Sequence, residues 1–567
     1  MPRIEAPVTP EMQALFDTGV DFETEVLDAW AALRLPGYVD LRDLDGDKHV
    51  HIGATIGAMR AGAAIIVGGR LPDDHDGART GKPDILLRDS DRGSIRGGDR
   101  DSGRGGDRDG DRDSGRGGDR DGDRDSDRGG DRDSGRGGNP GGVHGYHPAD
   151  IKAHHVLDRK RDNAPASALK APAWRDAAPL PDGGARHREE DLLQLAHYWR
   201  MLEACGHAAA NPRGAICGTD RPGDPILIWY DLSTPAFRTF SRTSGVATRS
   251  ALERYDHEHG FRRRIAGVAR QRRGAPDDPE PLVEPIGQEE CTGCRWAPVC
   301  VDTLPAGDLS AELRGALGVR EYLALRAAGV HTVDDLAAED PAVLLAGLYD
   351  GEVGHLRTRA FRLRKAVTAA RLARDGLIVR RRDGHDVPHA DVEVDVDVEW
   401  GADDVVYLWG LLVTEEGVST YTPFVDFAGT DEERLARACL DHLASVAAGA
   451  AARGRSLLVF HYASPEPRHA RRFPPLPGGP AHPDAWIDML PLVRAAVESR
   501  AGHGLKTIAR HGAGHIWRDA DPGGLQSQTW HAAAREGDPV AARRLLDYNE
   551  DDVRATRAVR EWLRVRE

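Results

Sequence analysis

Residues able to hydrolyse a phosphodiester come early in the chain and in a usable order. Asp84 stands in KPDILLR, at the start of an apolar run that reads as a strand. Asp150 and Lys152 follow in YHPADIKAHH, two apart on another strand, so their side chains share a face. Gln194 and Tyr198, in QLAHY, are four apart on a helix and also share a face. Phosphodiester hydrolysis calls for Mg²⁺ held by hard oxygen ligands and for charge stabilisation beside the attacking water. Two carboxylates and a lysine on adjacent strands meet both needs. The competing reading is solvated charge at strand edges. The order of the three motifs is what favours a site.

The last 180 residues carry a second set. Asp397 and Glu399 lie two apart in the strictly alternating run DVEVDVDVEW, so both face one side of a strand. Glu466 lies just past the apolar run SLLVFHY, and Tyr548 and Asp552, in YNEDDVRAT, are four apart on a helix. Four carboxylates can hold two metal ions around a scissile phosphate, with a helical tyrosine to orient water. Asp395, Asp488 and Asp551 are rival ligands if the register differs.

Between the two sets, CTGCRWAPVC holds Cys291, Cys294 and Cys300. In an intracellular protein this spacing favours a metal over a disulfide. Free, unmetallated thiols are the plain reading.

The N-terminal motifs resemble the RecB-like nuclease domain of the PD-(D/E)xK superfamily. The resemblance implies that Asp84 and Asp150 bind Mg²⁺ or Mn²⁺, that Lys152 orients water or stabilises charge, and that Gln194 and Tyr198 line the site or contact DNA. Glu23, in TGVDFETEV, stands where relatives often place an early metal-ligating histidine. RecB-like nucleases with an iron–sulfur cluster carry a similar C-terminal cysteine triplet, so the resemblance makes a [4Fe-4S] cluster the expected cofactor, with zinc as the alternative. Their fourth cysteine lies upstream, and here no cysteine precedes Cys205, so Cys205, Cys217 or a nearby histidine would complete the site. The C-terminal set resembles the DEDD exonucleases of the ribonuclease H-like fold, in the YxxxD subtype. Glu466 stands where those relatives place an aspartate. The whole, including the run GLKTIARHGAGHIWRDADPGG, resembles a bacterial family of RecB-like nucleases.

These motifs need positioning elements. Short strands are expected at 63–69, 84–87 and 145–153, a helix at 188–204, a strand at 225–230, and an Arg-rich helix at 246–271. Residues 309–373 read as helical, and LGVREYLALRAAGVHTVDDLA is similar to a helix-hairpin-helix element. Strands in DVEVDVDVEW, YLWGLLV and SLLVFHY precede helices at 429–451, 486–501 and 536–565, an α/β pattern. The expected fold class is α/β throughout, in three parts. A restriction-endonuclease-like PD-(D/E)xK domain spans 1–304, a helical connector 305–385, and a ribonuclease H-like exonuclease domain 386–567.

One block stands apart. In 88–138 arginine recurs at every fourth position, thirteen times, interleaved with fifteen aspartates. It has almost no apolar residue to bury, so it is expected to be a disordered insert, extending to 142, in the first domain. An RGG-like nucleic-acid-binding arm is the alternative.

The chain has 567 residues and a net charge of −16, which excludes a wholesale basic coat for nucleic acid. Six cysteines are too few for a disulfide scaffold. The start MPRIEAPVTPEMQ has no apolar core, so no signal peptide is read there. No run is apolar enough to span a membrane. The expectation is a cytoplasmic, metal-dependent nuclease acting on DNA ahead of RNA, with a second 3′–5′ exonuclease-like domain. No GxxxxGK[ST] occurs, so unwinding would fall to a helicase partner. Two alternatives stand: a non-catalytic nucleic-acid-binding scaffold, and an RNA exonuclease acting through the C-terminal domain.

Overall fold

The computed structural model describes residues 10–89, 144–221, 223–241, 245–401, 404–519 and 524–565. They form two compact units, one of residues 14–282 and one of residues 283–565 together with 10–13. The cysteine cluster falls in the second.

The first unit is a mixed eight-stranded sheet with helices. Its strands are β1 (Tyr38–Asp40), β2 (Ile65–Val67), β3 (Ile85–Arg88), β4 (Tyr146–Ile151), β5 (Ala164–Ala168), β6 (Ala178–Leu180), β7 (Arg213–Cys217) and β8 (Ile226–Asp231). Their spatial order is β1-β2-β3-β4-β7-β8-β5-β6. β2, β3 and β4 are the three strands expected around the first acids, and β8 is the expected strand at 225–230. β1, β5, β6 and β7 are short and weakly patterned, and were not expected. Helix α1 (Pro10–Ala32) buries Val26, Leu27 and Trp30 in the core, α2 (Lys48–Arg60) follows β1, and α3 (Glu189–Ala204) buries Leu195 and Trp199. Helix α4 (Ala251–Gln271) starts later than expected. Ser250 and Glu253 form a reciprocal capping box there, while 245–249 pair as a strand with 237–241.

β3 and β4 are antiparallel, with Arg88 opposite Tyr146. The amide of Asp89 donates to the carbonyl of Gly145 at 2.8 Å. The two ends of the Arg/Gly/Asp insert are therefore neighbours. Residues 90–142 of the insert lie outside the described residues, and Arg88 belongs to β3.

In the second unit, α5 (Val319–Ala327) and α6 (Val333–Ala338) are joined through Gly329 at φ +84, a left-handed position that glycine takes without penalty. Helix α7 (Arg359–Arg374) packs on α6. A five-stranded sheet follows: β9 (Val392–Trp400), β10 (Val406–Glu415), β11 (Val418–Val425), β12 (Leu457–His461) and β13 (Ile487–Asp488), in the order β11-β10-β9-β12-β13. β10 is antiparallel to both β9 and β11, whereas β12 runs parallel to β9 and β13 to β12. Helix α8 (Glu432–Ala452) covers one face and α11 (Pro539–Arg564) the other. The helix expected at 486–501 is shorter, α9 (Met489–Ala496). Residues 497–499 leave it to pair with 379–381.

The alternation in β9 decides which face does what. Val392, Val394, Val396 and Val398 join the core beneath α8, with Leu435, Cys439 and Leu443. Glu393, Asp395, Asp397 and Glu399 therefore all point to the other face, toward α11. Among the described residues no helix is long and apolar enough to cross a membrane.

Candidate active site

β9 and α11 run past each other with their charged stripes facing. Arg564 donates to Glu393 at 2.7 Å. Arg560, fully buried, donates to Asp395 at 2.6 Å, pairs with Glu393 and lies over the Phe460 ring. Asn549 Nδ2 donates to Asp397 Oδ2 at 2.7 Å. At the far end the pattern inverts, and α11 offers Asp552 to Asp397 and Glu399. Among the described residues, this trio is where three metal-ligating atoms fall within 4.8 Å of one another. Asp397 and Glu399 are half-buried and Asp552 is buried.

Acids so placed resist ionisation. Burial, then Asp552 and Glu466, hold the Asp397 carboxyl well above the usual range, against the pull of Lys506 and Asn549. Burial, then Asp397 and Asp552, do the same to Glu399. Burial pushes Asp552 up to about 6, with Lys506 and the Trp517 N–H opposing. Trp517 Nε1 donates to Asp552 Oδ1 at 2.7 Å. Lys506 Nζ donates to the Tyr548 hydroxyl at 2.7 Å. Tyr548 in turn hydrogen-bonds Asp552, and burial followed by the surrounding carboxylates raises its pKa. Repulsion among clustered carboxylates is relieved by a cation between them, so this donor set fits a hard divalent metal.

Glu466, on the short helix Pro465–Ala470, is buried in the same acidic neighbourhood, and burial followed by Asp488 and Asp552 raises its pKa well above the usual value. It does not join the three atoms within 4.8 Å. Its Oε2 lies 3.3 Å from His461 Nδ1, and neither atom has a hydrogen-bond partner. The rival acids are engaged elsewhere. Asp395 holds Arg560, Asp551 holds Arg518 at 2.9 Å, and Asp488 Oδ1 accepts from the Ala463 and Leu490 amides. Asn549, Lys506 and Trp517 were not expected. Asn549 sits inside YNEDD, and Lys506 and Trp517 lie in GLKTIARHGAGHIWRD, whose signal was a run without assigned roles.

The first unit brings its expected residues into one chain of contacts. β3 beside β4 sets Asp84 against Asp150, and the Ile151 amide donates to Asp84 Oδ2 at 2.9 Å. Burial, then Asp150, push the Asp84 carboxyl up to about 9. Asp150 is buried, and its Oδ1 has no hydrogen-bond partner. Lys152 Nζ lies 2.6 Å from Asp150 Oδ2 and donates to Gln194 Oε1 at 2.8 Å. Gln194 Nε2 donates to the Tyr198 hydroxyl at 3.1 Å. Glu23, on α1, adds a small upward push to the Asp84 carboxyl but does not close a trio of ligand atoms with Asp84 and Asp150.

The cysteine expectation finds no support. Cys291 and Cys294 are near enough to raise the Cys300 thiol, after burial, but the three sulfurs are not gathered within 4.8 Å. Zinc–sulfur bonds of about 2.3 Å would draw them closer than that. Cys217 is buried in the β7 core and Cys205 donates to the Leu202 carbonyl, both in the first unit.

A family model, that of the RNase_H superfamily, matches residues 393–564. The match begins at the first acid of β9 and ends at the last arginine of the facing stripe, so the C-terminal domain is ribonuclease H-like and points to nuclease-type hydrolysis. No curated protein and no solved structure matches the chain.

Proposed function

We propose that the chain is a metal-dependent nuclease that hydrolyses phosphodiester bonds through Asp397, Glu399 and Asp552. The observation that carries this reading is the inversion of charge along β9 and α11. Two of the strand's acids meet arginine and one accepts from an amide, but Asp397 and Glu399, both half-buried, also meet a third acid. A buried cluster of like charge is costly unless a cation joins it. Mg²⁺ or Mn²⁺ bound there supplies charge neutralisation and a more acidic water. Asn549 holds one Asp397 oxygen, which leaves the other for the cleft. The Tyr548 hydroxyl, held between Lys506 and Asp552, is placed to orient water. The test is cleavage of labelled single- and double-stranded DNA and RNA with Mg²⁺ or Mn²⁺. Asp397→Ala should remove the activity assigned here.

A second centre in the first unit is favoured by the contact chain from Asp84 to Tyr198. Asp84 and Asp150 would hold metal, and Lys152 would stabilise developing charge while Gln194 fixes its ammonium. This centre extends the proposal to a RecB-like nuclease with DNA as its substrate. An Asp150→Ala, Asp397→Ala double variant that still cleaves as the wild type would overturn both assignments.

A further inference from the structure

A cavity of about 1000 Å³ lies in the second unit, between α7 and residues 462–505. α7 turns Phe361, Arg364 and Lys365 to it, at helical spacings that share a face. Phe361 is 64% exposed, although it is a large aromatic residue. Arg494 lies on the opposite wall. Among the described residues Arg364, Lys365 and Arg494 form no ion pair, whereas Arg380 and Arg382 both engage Glu498. Three uncompensated cations and one bare aromatic ring therefore converge on one concavity in a chain whose net charge is −16.

The cavity is built from segments that also build the acid cluster. Tyr462 and Ala463, on its wall, begin the turn that carries Glu466. Leu505, also on its wall, begins α10 (Leu505–His511), whose next residue, Lys506, donates to Tyr548.

We propose that this cavity is the entry groove for a single-stranded nucleic acid. Its phosphates meet Arg364, Lys365 and Arg494, one of its bases stacks on Phe361, and its end is delivered to Asp397, Glu399 and Asp552. The proposal rests on the nuclease reading of that acid cluster and adds the strandedness of its substrate. Cations that track a backbone beside an aromatic face are the combination that binds single strands, because every base offers a π-face. A duplex hides those faces in its own stack, leaving Phe361 without a partner. The volume is that of a small-molecule pocket, narrow for a double helix.

The test uses the full chain in EDTA, where binding is read without cleavage. Anisotropy of a labelled single-stranded oligodeoxynucleotide, its RNA counterpart and a hairpin duplex is followed across salt concentration. Arg364→Ala with Lys365→Ala should lower single-strand affinity at least tenfold and reduce the salt slope by about 1.4, at roughly 0.7 per phosphate contact. Phe361→Ala should cost about tenfold with the slope unchanged. The charge-keeping pair Arg364→Lys, Lys365→Arg should bind nearly as the wild type, which separates charge from folding. Photocrosslinking from Phe361→p-benzoylphenylalanine should capture the single strand. Unchanged affinity, slope and absence of crosslink overturn the groove, and so does equal loss on the duplex. If the groove variants lose binding while the wild type cleaves nothing with Mg²⁺ or Mn²⁺, the nuclease reading fails and the binding groove stands.

Discussion

Asn549 Nδ2 donates to Asp397 Oδ2 at 2.7 Å, joining residues 152 apart in sequence. The Tyr421 hydroxyl donates to Asn549 Oδ1 at 2.8 Å, so this buried amide is held from both sides. A neutral amide here lets Asp397 approach α11 without a further charge. Asn549→Ala should leave a buried acceptor and a phenol unpaired, destabilising the fold by about 1–3 kcal/mol. Urea unfolding followed by tryptophan fluorescence checks this, and an unchanged midpoint would count against the clamp.

The acid cluster sets a pH dependence whose sign is defined. Asp552 is raised to about 6, and burial also holds Asp397, Glu399 and Glu466 well above the usual carboxylate range. The folded state keeps these protons while the unfolded chain, with ordinary carboxyls, releases them near pH 4. Metal-free stability therefore declines as pH rises from about 4 through 6 and beyond. A cation displaces those protons, so the rise in melting temperature caused by Mg²⁺ should grow between pH 5 and 8. Thermal melts with and without Mg²⁺ measure it. In an Asp150→Ala background, a shift independent of pH, or one that survives Asp397→Ala, would sink the metal assignment.

Arg560 pairs with Glu393 and Asp395 and not with the proposed metal-binding trio. Arg560→Ala should strand two buried carboxylates and cost about 3–5 kcal/mol. Near-normal turnover is expected below the lowered melting temperature. Stability unchanged on substitution would mean that the pair is solvated.

In the first unit, Lys152→Ala should sharply reduce metal-dependent cleavage in an Asp397→Ala background, since groups acting on the transition state typically contribute orders of magnitude. Asp84→Asn should raise metal-free stability above about pH 4, because it removes a buried carboxyl that the folded state keeps protonated up to about pH 9. Cleavage assays and thermal melts separate the two effects. Undiminished cleavage by both variants would leave the contact chain a structural one.

The insert should be replaceable. Asp89 and Gly145 are already hydrogen-bonded, so a short Gly-Ser turn can join them. Closure entropy changes by about 0.6 kcal/mol per doubling of loop length, so stability should move by no more than about 2 kcal/mol. Loss of nucleic-acid affinity on removal would favour the RGG-arm reading.

Much of this was legible in local pattern. Alternation in DVEVDVDVEW placed Asp397 and Glu399 on one strand face, and helical spacing put Tyr548 and Asp552 on one helix face. Both rest on side-chain periods that tertiary context leaves intact. The same periods joined Asp150 to Lys152 and Gln194 to Tyr198. Spacing alone could not choose among Asp395, Asp397 and Glu399, which share a face. The choice came from the running direction of α11, which sets Arg560 against Asp395 and Asp552 against Asp397 and Glu399. Pairing between distant segments likewise decided the role of Asn549, the contact of Lys506 with Tyr548, and the meeting of Asp84 with Asp150. The cysteine triplet was as clear in spacing, but the fold adds no support for a metal there, since its sulfurs are not gathered within the 4.8 Å that one zinc ion would need. Local sequence determines which side chains travel together on one element, because the backbone period is local. Which elements face one another depends on burial and charge matching across the whole chain, and that belongs to the tertiary structure.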